Sequence, residues 1–161
     1  MFQERFENIW DSEIDVVCVT TNGTVTRDGH NIMGGGIALE ATQRIPYIDQ
    51  VHGLAIELFG HNVQPIGKWR DKTILAFPTK DRISVNSSLS LITKSFQQLL
   101  YHSDIFDDVV IGLPRPGCNL GGLDWELQVK PLLTSLWNDK YKDRIIIFHY
   151  AQNGVTPNNA A

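Results

Sequence analysis

Cysteine is nearly absent: of 161 residues only Cys18 and Cys118 carry a thiol, and no paired motif surrounds either. That excludes a disulfide framework and the spacing of a thiolate zinc site. Methionine is as scarce, and no apolar run approaches the length of a membrane span. Neither sign of charge dominates, with 14 Lys and Arg against 18 Asp and Glu and a formal net charge of −4. A global basic field that grips nucleic acid nonspecifically is therefore excluded. No internal repeat, low-complexity tract, linker or leader-like segment interrupts the chain. The expectation is one domain over residues 1–152 in a reducing cytoplasm, away from membranes and monomeric by default. Residues 153–161 have little to bury and are expected to form a flexible tail.

What the chain has is glycine in clusters. Val109 to Leu113 is an apolar run that delivers Pro114-Arg-Pro-Gly-Cys-Asn-Leu-Gly-Gly-Leu-Asp-Trp125. A helix is expected to open at Asp124. Such a strand–loop–helix junction aims free backbone N–H groups at one place and adds the positive end of a helix dipole. It is a seat for a diphosphate. A second junction of this kind joins Val16-Val-Cys-Val-Thr-Thr-Asn22 to Met33-Gly-Gly-Gly-Ile-Ala38. Two such loops on one small domain suggest a nucleotide diphosphate more than an inorganic anion. Each loop taken alone reads equally well as a tight turn.

Short apolar runs alternate with helical patterns. Strands are expected at 15–21, 73–78, 108–114 and 144–150, with weaker extended segments at 3–8 and 63–70. The central runs are continuously apolar, as strands covered on both faces are. Helices are expected at 36–47 and 47–59, broken at Pro46, and at 88–101, capped by Asn86, Ser87 or Ser88. A last helix at 124–137 contains Pro131, which either kinks it or marks its true start. This alternation is an α/β pattern and predicts a three-layer α/β/α sandwich, with ligands held outside the carboxyl ends of its strands.

Several residues at those ends can carry chemistry, each beside a plainer reading. Asn22 can bond a ribose hydroxyl or satisfy its own turn. Lys80 follows the buried run 73–79. An ammonium there can neutralise developing charge, and an amine can attack a sugar carbon, but a random lysine is usually a solvated surface charge. Asp124 reads first as a helix N-cap, and Trp125 as core. Phe148 and Tyr150 close the last strand, where one ring can stack on a base while the alternate side faces the core. The five histidines share no metal-like spacing, and His149 reads as a strand residue.

With these residues set out, the chain resembles the macro domain family, which binds ADP-ribose. More narrowly it resembles the branch of DNA ADP-ribosyl glycohydrolase antitoxins and the terminal ADP-ribose protein glycohydrolase. The likeness runs roughly from Glu7 to Tyr150. It rests on Glu7-Asn-Ile9, Thr20-Thr-Asn22, Met33-Gly-Gly-Gly-Ile-Ala38, Phe77-Pro-Thr-Lys80 and Gly117-Cys-Asn-Leu-Gly-Gly-Leu-Asp-Trp125. The resemblance implies a mixed central sheet, with Asn8 and Ile9 beside adenine; the strand-end reading adds Tyr150 as the ring expected beside the ligand. Asn22 and Met33, Gly34, Gly35, Gly36 and Ile37 would line the distal ribose. Gly117, Cys118, Asn119, Leu120, Gly121 and Gly122 would hold the diphosphate. Lys80 matches the catalytic lysine of the glycohydrolase branch, with Asn22 presenting the sugar. No metal and no cofactor is implied. The implied partner is ADP-ribose or an ADP-ribosylated DNA, protein or small conjugate. A non-catalytic reader or scavenger, or an ADP-ribose 1″-phosphatase, would need the same pocket. Three departures stand out. Gly121 replaces an aspartate that the terminal ADP-ribose enzyme requires. Residues 23–31 form a longer insert than the antitoxins have. Asp81-Arg-Ile-Ser-Val85 replaces a tryptophan-rich stretch.

Overall fold

A computed structural model describes residues 1–149. Its strands are β1 (Gln3–Arg5), β2 (Val16–Asn22), β3 (Gln64–Trp69), β4 (Lys72–Lys80), β5 (Ile111–Pro114) and β6 (Ile145–Phe148). Its helices are α1 (Gly36–Arg44), α2 (Ile48–Phe59), α3 (Leu89–Ile105) and α4 (Lys130–Leu136). The six strands form one sheet in the order β1-β6-β5-β2-β4-β3. Only β3 runs antiparallel to its neighbour, so the sheet is mixed.

Strand periodicity explains the layers. Along β2, Val16 and Cys18 enter one core and Val17 and Val19 the other, as a period of two requires. The first core packs Phe96 and Leu99 of α3 and Leu133 of α4 against one face of the sheet. The second packs Ile37 and Ala41 of α1 and Ile48 of α2 against the opposite face. Fully buried side chains such as Phe77, Phe96 and Leu133 each contribute about 1.5–3 kcal/mol relative to exposure. The expected α/β/α sandwich with a mixed sheet is the observed architecture. No helix among the described residues is long and apolar enough to cross a membrane.

Several expected boundaries shift for local reasons. The break at Pro46 falls between α1 and α2, where Tyr47 takes a left-handed φ of 65°. Ser88 caps α3 by accepting from Leu91 N–H at 3.3 Å. The strand expected from 108 starts only at Ile111, because Val110 is taken up by Asp15, whose carboxylate accepts its N–H at 2.8 Å. The helix expected at 124–137 divides: a π-helical turn covers Trp125–Val129, and α4 follows with Pro131 in its first turn. A proline there donates no N–H and crowds the carbonyl a turn earlier, which widens the preceding turn. Pro131 thus marks the start of the regular helix. Tyr150 and the tail at 153–161 lie outside the described residues.

Candidate functional site

β2 and β4 lie side by side and in parallel, and their carboxyl ends place two of the expected residues together. Asn22 is opposite Lys80 in the ladder, with a register shift between Thr21 and Asn22. Such irregularities re-aim a side chain at the strand end. Lys80 Nζ reaches across to donate to the Leu120 carbonyl at 3.1 Å, linking β4 to the second glycine loop. Asn22 is held at both ends of its carboxamide: Nδ2 donates to Ile32 O at 2.9 Å, and Oδ1 accepts from Thr24 N–H at 3.0 Å.

The two glycine loops meet above this pair. A Cβ on Gly35 would lie 2.7 Å from Leu120 Cδ1, whereas one on Gly34 would meet open space. Gly35 precedes α1 as its N-cap in extended conformation, with no side-chain cap to cover the first amides of the helix. In the second loop Gly117 and Gly122 take φ of 74° and 78°, the region that favours glycine. Gly122 N–H bonds Asn119 O at 3.0 Å and Leu123 N–H bonds Gly117 O at 2.9 Å, which closes the turn. Between them, the main-chain N–H groups of Asn119, Leu120 and Gly121 meet no acceptor among the described residues. Consecutive amides left free beside a helix start are what an anion needs.

Together these parts line an open cleft of about 100 Å³. Asn22, Gly34, Gly35, Lys80, Gly117, Leu120 and Gly121 line it, as expected from the sequence. Thr20, Thr21, Ala38 and Thr79, all within the quoted motifs, add to the wall. Ile32, Ile83 and Ser87 are wall residues that no motif announced. The only signal for Ser87 was its place among the cap candidates. Because Ser88 is the cap, Ser87 is free to donate its N–H to Gly121 O at 2.9 Å.

Other expected residues sit apart from this cleft. Ile9, Met33 and Ile37 are core side chains, so only their main chain can meet a ligand. The Asn8 side chain accepts from Trp10 N–H at 2.9 Å and caps a single 3-10 turn. Asp124 caps the π-turn, accepting from Leu127 N–H at 2.8 Å. Trp125 and Phe148 are core. His149 lies just beyond β6, stacked on Phe6 and bonded to Glu4 at 2.7 Å.

Electrostatics separate the reactive groups from the inert ones. Burial pushes the Cys118 thiol up to about 12; Arg115 opposes that shift and Asp124 adds to it. Cys118 is therefore a poor nucleophile despite its place in the loop. Burial lowers His52 to about 4, with His61 adding to the effect, so it is neutral at ordinary pH. His61 is lowered to about 4 as well, by burial first, with Asp81 opposing and Lys94 reinforcing. Its Nε2 lies 3.3 Å from Thr21 Oγ1, directly behind the cleft wall.

Solved structures share this fold. The macrodomain of Mycobacterium tuberculosis DarG superposes with a TM-score of 0.74 at 24% identity, over 92% of this chain and 97% of that one. The fold is that of a macro domain. The macrodomain of Thermus aquaticus DarG matches at 0.68 and 22% identity, over 94% of this chain and 99% of that one. Thermosipho africanus DarTG, solved in complex with ADP-ribose, matches at 0.69 and 20% identity, over 91% of this chain but 42% of that one. No protein-family model matches the sequence, and no curated protein matches it. The macro domain likeness is therefore one of fold.

Proposed function

We propose that the cleft binds ADP-ribose and that the protein hydrolyses ADP-ribosyl conjugates. The observation that carries this reading is the run of amides at residues 119–121 that meet no acceptor among the described residues, beside Lys80 and Asn22. Three such donors in succession suit the oxygens of a diphosphate. The open space at Gly34 leaves room for a sugar against the backbone. Asn22 and Lys80 would then stand at the far sugar, where its C1″ carries the leaving group. The ADP-ribose complex of Thermosipho DarTG is consistent with such a ligand.

In the proposed reaction the bond between C1″ and the leaving group breaks, and the leaving group departs with a proton. The Lys80 amine takes up C1″, and water then releases the sugar, so the net change is one water added across the bond. Asn22 orients the ribose while charge develops at C1″. A second reading, binding without turnover, draws on one contact: Lys80 already donates to Leu120 O and so supports the loop.

The test is parallel incubation with ADP-ribosylated DNA, ADP-ribosylated protein and ADP-ribose 1″-phosphate, wild type against Lys80→Ala. Release of ADP-ribose from DNA or protein that falls by about 10²-fold or more in the variant is the expected result. Calorimetric binding of ADP-ribose with no release selects the reader. Phosphate release that survives loss of Lys80 selects a phosphatase.

A further inference from the structure

Behind Asn22 the segment between β2 and α1 is clamped to α2. Asn31 is buried, and its Nδ2 donates to the main-chain oxygens of Asn22 and Thr24, each at 2.9 Å. Two carbonyl neighbours fix which end of that amide is the nitrogen. Its Oδ1 consequently faces His52 Nδ1 at 2.8 Å and accepts a hydrogen bond from its N–H. The fully buried His52 ring is thus the Nδ1–H tautomer, with Nε2 bare and unpartnered. Contacts on either side tighten the same junction. Asn31 N–H donates to Asp49 O at 2.9 Å, and His30 Nδ1 lies 3.1 Å from Asp49 Oδ2. A Cβ on Gly53 would run into the Gly29 carbonyl oxygen, so α2 touches the segment backbone to backbone.

This junction bears on the cleft because the Asn22 carboxamide is oriented by Thr24, whose carbonyl accepts from Asn31, and by Ile32, which follows Asn31 in the chain. We propose that His52 is a positioning residue: through Asn31 it fixes the Asn22 carboxamide at the end of the cleft where the sugar would react. The proposal rests on the reading of this cleft as an ADP-ribose site. Removing the imidazole leaves Asn31 Oδ1 buried without a donor and lets the amide turn over. The error then passes to Thr24 and to Asn22, with no ligand contact deleted.

Side-chain geometry supplies a discriminating series. Asparagine bears its amide nitrogen on Cγ, as imidazole bears Nδ1, whereas glutamine bears it one bond further out. His52→Asn therefore restores the donor to Asn31, and His52→Ala and His52→Gln do not. Two signals are read in all three: the side-chain NH2 resonance of Asn22 by 15N NMR, and kcat and KM on the conjugate that wild type releases. The Asn22 resonance should move in the Ala and Gln variants and return in His52→Asn. With it, kcat should fall roughly 10- to 100-fold and recover, while KM stays within about threefold. An Asn22 resonance and kcat that His52→Ala leaves at wild-type values would overturn the proposal. If wild type releases nothing from any conjugate, the glycohydrolase reading fails, and the resonance alone decides the clamp. If His52→Ala does not fold, Gly53→Ala pushes the segment away with His52 intact and should move the same resonance; an unmoved signal there overturns the idea.

Discussion

A Cβ on Gly121 would run into Ser87 Oγ and come within 2.5 Å of the Gly117 carbonyl oxygen, so space alone makes residue 121 a glycine. The aspartate that the terminal ADP-ribose enzyme carries at the matching place has no room beside this serine. Gly121→Asp is expected to cost about 1–3 kcal/mol, read as a lower urea midpoint, from overpacking. Ser87→Gly in that background should restore part of the loss. If it restores none, the Gly117 backbone sets the limit instead. Thiol reactivity gives a second residue-scale test. With Cys118 raised to about 12 by burial and Cys18 wholly buried and raised further, iodoacetamide at pH 8 should label neither over a period that fully labels glutathione. Rapid labelling of Cys118 would mean that the loop opens far more than its packing implies.

The turn from Trp125 to Val129 shows how one element depends on two residues at its ends. Asp124 caps it and Pro131 keeps it wide, so the loop before it is anchored at both ends. Asp124→Ala should lose about 1 kcal/mol, a drop of roughly 2–4 °C in Tm for a domain of this size. Hydrogen exchange should rise first at Leu127, whose N–H the carboxylate accepts. Much at this scale was legible in the chain: the apolar runs of β2 and β4, the break at Pro46, the cap at Asp124 and the glycine loops. Local patterns write these features. The π-turn was not legible, because its width comes from a clash between Pro131 and the turn before it. Nor was the role of Ser87, which depends on a loop more than thirty residues away. The expected contribution of Ile9, Met33 and Ile37 narrows to backbone, since apolar periodicity does not tell a pocket wall from the core behind it.

Across the whole molecule burial lowers three imidazoles, and the two most strongly lowered, His52 and His61, weigh most on acid stability. His52 and His61 stand at about 4 in the fold against 6.5 for an exposed ring. Between those values the unfolded chain binds protons that the fold refuses. Stability is complete above about pH 6.5 and falls toward pH 4, by about 1.4 kcal/mol per pH unit for each ring. Urea midpoints measured from pH 7 to 4.5 should drop in wild type and drop less steeply in His52→Asn. Midpoints that stay flat across that interval would show that neither ring is held neutral.

The outermost strand pair draws on opposite ends of the described chain. β1 lies parallel to β6, and Glu4 meets His149 across 145 positions of sequence. Glu4 also accepts from Trp125 Nε1 at 3.2 Å and Lys130 Nζ at 2.9 Å, so it ties the turn behind the second glycine loop to that edge. During synthesis the edge must wait for its partner: β1 emerges first and has nothing to pair with until β6 clears the ribosome. Long-range parallel pairing of this kind is slow to form. A nascent chain halted before Ile145 would therefore hold both glycine loops yet lack the strand and the contacts that seat the second of them. The second glycine loop is seated only once β6 has paired with β1.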